Sequence, residues 1–109
     1  MLLKVGRHLR PRPEFKLIVG RDDGENNFLK GYRKQFTYLH AVSHKGPLVL
    51  IDGEMDEDDV ELAARLTARF GKGRDADTVC VAIHTRNGSK RELDIKPMNA
   101  NDIPEAWYL

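Results

Sequence analysis

The chain has 109 residues, 40% hydrophobic and 32% charged, with a single cysteine. That is the length of one domain, here residues 1–109, and the composition supports a modest core under a charged surface rather than a disordered chain. No run approaches the ~18 apolar residues of a membrane helix, one cysteine excludes an intrachain disulfide framework, and the opening Met1-Leu2-Leu3-Lys4-Val5-Gly6-Arg7 turns polar too soon for a signal peptide, so a cytoplasmic location is expected.

Arg7-His8-Leu9-Arg10-Pro11-Arg12-Pro13 cannot be helical, because each proline forces the residue before it into extended geometry. It reads as an edge strand or arm carrying three arginines and a histidine. Phe15 to Gly20 follows as a strand rich in branched residues and ended by glycine. Asp22 or Asp23 can cap a helix running from about Glu25 to Lys34. Helical periodicity puts Phe28, Leu29 and Tyr32 on one face and Asn26, Lys30 and Arg33 on another, with Asn27 and Lys34 beside the latter.

Phe36 to Val42 reads as the next strand, Ser43 to Pro47 as a turn, and Leu48 to Ile51 as an apolar, central strand. An acidic run then opens a second helix, about Asp58 to Phe70, where carboxylates meet the positive end of the helix dipole. Leu62, Ala63, Leu66 and Phe70 form its docking stripe. Asp77 to Thr85 and Arg91 to Lys96 make a hairpin. A three-residue loop, Arg86-Asn87-Gly88 with Gly88 left-handed, pairs Val81 with Leu93 and Val79 with Ile95, whereas a two-residue loop would oppose apolar side chains to acidic ones. The tail from Ile103 to Leu109 is apolar and aromatic, and it either caps the core or docks a neighbour. The expected fold is α+β: a mixed, largely antiparallel sheet of about five strands with two main helices.

Little in the sequence suggests catalysis. Cys80 stands in Val79-Cys80-Val81-Ala82-Ile83, an apolar strand that predicts a buried, inert thiol; a sulfur carrier would need an exposed thiolate beside cations. His8, His40, His44 and His84 form no recognisable metal spacing, so neither metal nor cofactor is expected. Val19-Gly20-Arg21 with Gly24 lacks both nucleotide-binding glycine patterns, and the acidic run lacks calcium-loop spacing.

The distribution of charge is more informative. Residues 1–50 carry ten Lys/Arg against four Asp/Glu, and residues 51–109 carry eight against thirteen. The basic half contains Arg7, His8, Arg10, Arg12, Lys16, Arg21, Lys30, Arg33, Lys34 and Lys45, interleaved with Tyr32, Tyr38, His40 and His44. Cations with flat side chains among them suit RNA, where phosphates supply affinity and exposed bases supply stacking. Arg7, Arg12, Arg21, Lys30 and Arg33 are expected to converge on one surface built from the arm and the first helix. Arg21, Asn26 and His40 are expected to surround one nucleotide.

Two segments strengthen this reading. Leu17-Ile18-Val19-Gly20-Arg21-Asp22-Asp23-Gly24-Glu25-Asn26-Asn27-Phe28-Leu29 and Phe36-Thr37-Tyr38-Leu39-His40-Ala41-Val42, followed by Gly46 and an apolar strand, resemble the signatures of the NFACT-R family of RNA-binding domains. Asp22, Thr37, Tyr38 and Leu39 depart from the residues usual there. Gly6-Arg7-His8 before Lys16 to Arg21 is similar to the short version of the domain, found alone or at the carboxy end of tRNA thiolation proteins of the ThiI and MnmA type. The resemblance implies a non-catalytic module that binds RNA, with tRNA the expected RNA and a tRNA thiolation enzyme a possible partner. Two other classes stay open: a sulfur-transfer component using Cys80, and a protein-interaction domain that docks a catalytic partner through Trp107-Tyr108-Leu109.

Overall fold

The computed structural model describes residues 5–109; the reading of residues 1–4 as part of a polar opening falls outside them. Six strands form one sheet: β1 (Arg7–Arg12), β2 (Phe15–Val19), β3 (Thr37–Ala41), β4 (Val49–Gly53), β5 (Val79–His84) and β6 (Lys90–Ile95). Their order is β1-β2-β4-β3-β5-β6, with every neighbouring pair antiparallel. Two helices accompany them, α1 (Asp23–Lys30) and α2 (Glu57–Arg69). The α+β class is as expected, with one strand more. The arm is a true strand despite Pro11, because it lies at the sheet's edge and its register shifts between Leu9 and Arg12, where a missing N–H breaks no ladder.

Strand alternation gives the sheet two unlike faces. Leu17, Val19, Leu39, Val49, Ile51, Val81 and Ile83 turn to one side and bury Ala63, Ala64 and Leu66 of α2. Ile18 and Leu50 turn to the other side and meet Leu29 of α1, with Tyr32, Phe36 and Tyr38 at the margin. α1 is too short to cover that second face. Beyond it Tyr38, His40, Cys80 and His84 are only half-buried.

α1 stops four residues before its expected end. Gly31, a poor helix former, terminates it, and the chain continues in tighter turns with bonds from Tyr32 N–H to the Leu29 carbonyl (2.9 Å) and from Gln35 N–H to that of Tyr32 (2.9 Å). α2 begins with a reciprocal cap: Asp56 accepts from the Asp59 N–H (2.8 Å), and Asp59 accepts from the Asp56 N–H (3.1 Å). Arg12 Nε lies 2.6 Å from the other oxygen of Asp59, which is 5% exposed. The acidic run therefore has a structural use, and one of the expected RNA-contacting arginines is held there.

The hairpin has the expected register, Val81 opposite Leu93 and Val79 opposite Ile95, with Gly88 at φ +91°. The tail is folded in rather than free. Trp107 packs against the core, Tyr108 bridges to Leu9, and the Leu109 N–H bonds the His8 carbonyl (3.0 Å), covering part of β1's outer edge.

Asp59→Ala removes half of the cap and strands the Arg12 guanidinium. It should cost about 1–2 kcal/mol of stability. An unchanged urea midpoint would remove Asp59 from this role.

Candidate nucleic-acid interface

A cleft of about 540 Å³ runs between α1 and the uncovered strands. Its helical wall is Asp23, Asn26, Asn27 and Lys30, continued by Arg33 in the turn beyond Gly31. Its sheet wall is Tyr38, His40 and His84, and Gly46 and Leu48 close one end.

Local chemistry fixes the helical wall. Of the two cap candidates, Asp22 caps α1 by accepting the Glu25 N–H (2.8 Å). The Asn26 amide oxygen accepts the Leu48 N–H (3.2 Å), tying the helix to the chain entering β4. Only glycine fits beneath it: a Cβ on Gly20 would stand 1.9 Å from that oxygen. Glu25 makes a second tether, accepting from the backbone N–H groups of Arg21 (2.9 Å) and Gly6 (3.1 Å) and from the Arg21 guanidinium (2.9 and 2.7 Å). Those bonds, Arg21's side chain foremost, hold the Glu25 carboxyl down at about 2.

The sheet wall is a set of near-parallel rings. Tyr38 and His84 are directly opposed across β3 and β5, with centroids 4.4 Å apart and planes 5° apart. His40 and His84 lie 5.2 Å apart at 18°, with their Nε2 atoms at 3.1 Å. One imidazole must donate and the other accept, so that contact uses a single proton. Burial, then the charge of His40 and Lys90, pushes the His84 pKa down.

The sequence-derived residues divide into groups. Asn26, Asn27, Lys30, Arg33, Tyr38 and His40 line the main cleft together. Lys30 and Arg33 make no ion pair among the described residues. Lys45 lines an adjoining cleft of about 230 Å³ that shares Asp23, Asn26 and Gly46 with the first and adds Lys72 and Arg74. Arg7, His8, Lys16 and Arg21 line a third cleft beside Tyr108 and Leu109, in which Lys16 is 6% exposed. Arg7 lies 5.2 Å over the Phe70 ring, and Arg10 bonds the Pro13 carbonyl (2.9 Å). His44 Nδ1 lies 2.8 Å from Ser43 Oγ on the turn, and Lys34 is exposed outside the three clefts.

The expected convergence of Arg7, Arg12, Arg21, Lys30 and Arg33 is therefore not found. Only the last two share the main cleft, because Arg12 is drawn to Asp59 on the α2 side and Arg21 to Glu25. Asn26 and His40 both line the main cleft, and Arg21 lies outside it, lining the adjoining cleft beside Asn26. Sequence reasoning missed His84, Lys72 and Arg74. His84 had a usable signal, since it sits on the same face of its strand as Cys80 and Ala82, at the end nearest the hairpin loop.

Cys80 also differs from expectation. It points away from the α2 core and is half-buried, with Sγ 3.7 Å from a Glu92 carboxylate oxygen. Burial and the carboxylates of Glu92 and Asp94 push its pKa up, the opposite of an activated thiolate.

Comparison with known proteins agrees with this architecture. The family model of the NFACT protein RNA binding domain matches residues 6–108. No curated protein matches the chain. Among solved structures, the C-terminal part of the fibronectin/fibrinogen-binding protein from Streptococcus suis is similar in fold, with a TM-score of 0.77 at 20% identity over 96% of this chain. The chain spans 50% of that structure.

Two measurements follow from the site's titrating groups. With its pKa lowered from 6.5 in the folded state, His84 binds protons more readily when unfolded. Its stabilising contribution is complete above pH ~6.5 and is lost as pH falls through the folded-state pKa. Urea midpoints at about pH 7 and pH 5 should therefore fall less for His84→Gln than for the native chain; parallel falls would contradict the assignment. For Cys80, alkylation of the folded protein at about pH 8 should be several-fold slower than for free cysteine, whose pKa is ~8.5. A rate matching free cysteine would revive a reactive thiol.

Proposed function

This chain belongs to the family of NFACT protein RNA binding domains, and we propose that it binds tRNA through the cleft between α1 and strands β3 and β5. The observation that carries this reading is the pairing of walls: Lys30 and Arg33, which make no ion pair among the described residues, line the same cleft as the near-parallel rings of Tyr38, His40 and His84. Phosphate attraction and ring stacking are the two interactions that RNA with exposed bases offers. Lys45, Lys72 and Arg74 extend the positive surface past the start of α1, giving a folded RNA backbone a second point of contact.

The module acts without catalysis in this reading. Burial and two neighbouring carboxylates push the pKa of its one thiol up, which disfavours the sulfur-carrier alternative. Chemistry on the bound tRNA then belongs to a partner, and a thiolation enzyme fits the opening Gly6-Arg7-His8 and the Lys16 to Arg21 segment. The docked tail disfavours the Trp107-Tyr108-Leu109 segment as a free docking peptide.

Salt-dependent binding to tRNA, a generic single strand and duplex DNA tests the proposal, with tRNA bound tightest. Arg33→Glu should weaken tRNA binding at least ~10-fold and reduce the salt slope by about one, while changing stability by less than ~0.5 kcal/mol. Arg12→Ala, whose guanidinium is held by Asp59, should leave affinity near the native value. The reverse pattern would move the interface to the α2 side.

A further inference from the structure

The geometry points to an unpaired nucleotide as the occupant of the main cleft, held in one direction: phosphate at Lys30 and Arg33, base along the ring wall, donor edge of the base toward Asp23. This rests on the RNA-binding reading and adds the form and orientation of the ligand. The helical wall is graded in charge. Asp23 stands at its start, Asn27 one turn on, Lys30 nearly another, and Arg33 beyond the helix end. At 1.5 Å per residue, Asp23 and Lys30 are separated by roughly 10 Å along the axis. Within the main cleft the Lys30 end attracts a phosphate and the Asp23 end repels it, while Lys45, Lys72 and Arg74 line the adjoining cleft on the other side of Asp23.

That gradient suits a ligand with one charged end and one neutral, flat end. A double helix displays phosphates along both strands and hides the pairing edges of its bases, so it would bring charge to Asp23 as well as to Lys30. An unpaired nucleotide does not. The rings of Tyr38, His84 and His40 already lie within 18° of parallel, so a base in the same orientation stacks without rearranging them.

Asp23 supplies the direction. Asp22 caps α1, which leaves the Asp23 carboxylate without a hydrogen-bond or ion-pair partner among the described residues. A carboxylate only accepts hydrogen bonds. Guanine presents two adjacent donors, N1–H and the 2-amino group, which match its two oxygens. Adenine and cytosine present one amino group each, and uracil a single N–H flanked by carbonyl oxygens that the carboxylate repels. Guanine is therefore the favoured base.

The test uses short RNAs in which uridines flank a central G, A, C or U, and the native chain at low salt. The guanine RNA should bind at least ~5-fold tighter than the all-uridine RNA. Asp23→Asn should erase that preference, weakening the guanine RNA and tightening the all-uridine RNA by removing the carboxylate's repulsion, and Arg33→Ala should weaken all four RNAs alike. Melting curves verify that Asp23→Asn folds. Equal affinity for all four RNAs, or a duplex bound as tightly as its single strand, overturns the orientation while leaving the RNA-binding reading intact. Failure of these RNAs and tRNA to bind at all removes both.

Discussion

One hydrogen bond determines where the working face of this domain lies: the Asn26 amide on the Leu48 N–H, seated over Gly20. α1 has eight residues and buries only Leu29 completely. A helix of that length has little stability alone, so its position must come from tethers. Asn26 ties its first turn to the start of β4, the Asp22 cap satisfies an N-terminal amide, and Glu25 joins it to Arg21 and Gly6. With the first turn fixed, helical geometry leaves Asn27 and Lys30 facing β3 and β5, and the tight turns after Gly31 add Arg33 to the same wall. Gly20, Arg21, Glu25 and Asn26 thus act chiefly as scaffolding for the residues beside them.

The same separation explains the charge asymmetry of the sequence. The acidic half does not neutralise the basic half at random. Its carboxylates cap α2, with Asp59 taking Arg12 and Glu57 taking Arg91 on the far side of the sheet. Cations that meet those partners become structural. Those near α1 have few carboxylates to meet: Glu25 is already occupied by Arg21, and Lys30 and Arg33 make no ion pair among the described residues. A net charge of +1 therefore coexists with a face suited to phosphate.

Features set by local periodicity were legible in the sequence. The Val81–Leu93 register followed from apolar alternation and a left-handed Gly88, and the amide-and-cation stripe of α1 followed from helical spacing. Features that depend on which strands become neighbours were not. His84 meets His40 across 44 residues because β5 pairs with β3 rather than with the strand preceding it. Lys72 and Arg74 belong to the acidic half and join Lys45 only because the chain leaving α2 returns to it, with the Lys72 N–H on the Lys45 carbonyl (2.7 Å). Arg12 and Arg21 read as free cations until their partners Asp59 and Glu25 are located in space. Cys80 reads as core because its neighbours are apolar, yet alternation turns it to the half-covered face.

The most direct test of the central claim is amide chemical-shift mapping of the ¹⁵N-labelled chain during titration with tRNA fragments. Saturable shifts are expected to concentrate on Asn26, Asn27, Lys30, Arg33, Tyr38, His40 and His84, with weaker ones at Lys45, Lys72 and Arg74 and little change along α2. Shifts centred instead on Arg12, Asp59 and α2, with the α1 cleft silent, would contradict that claim.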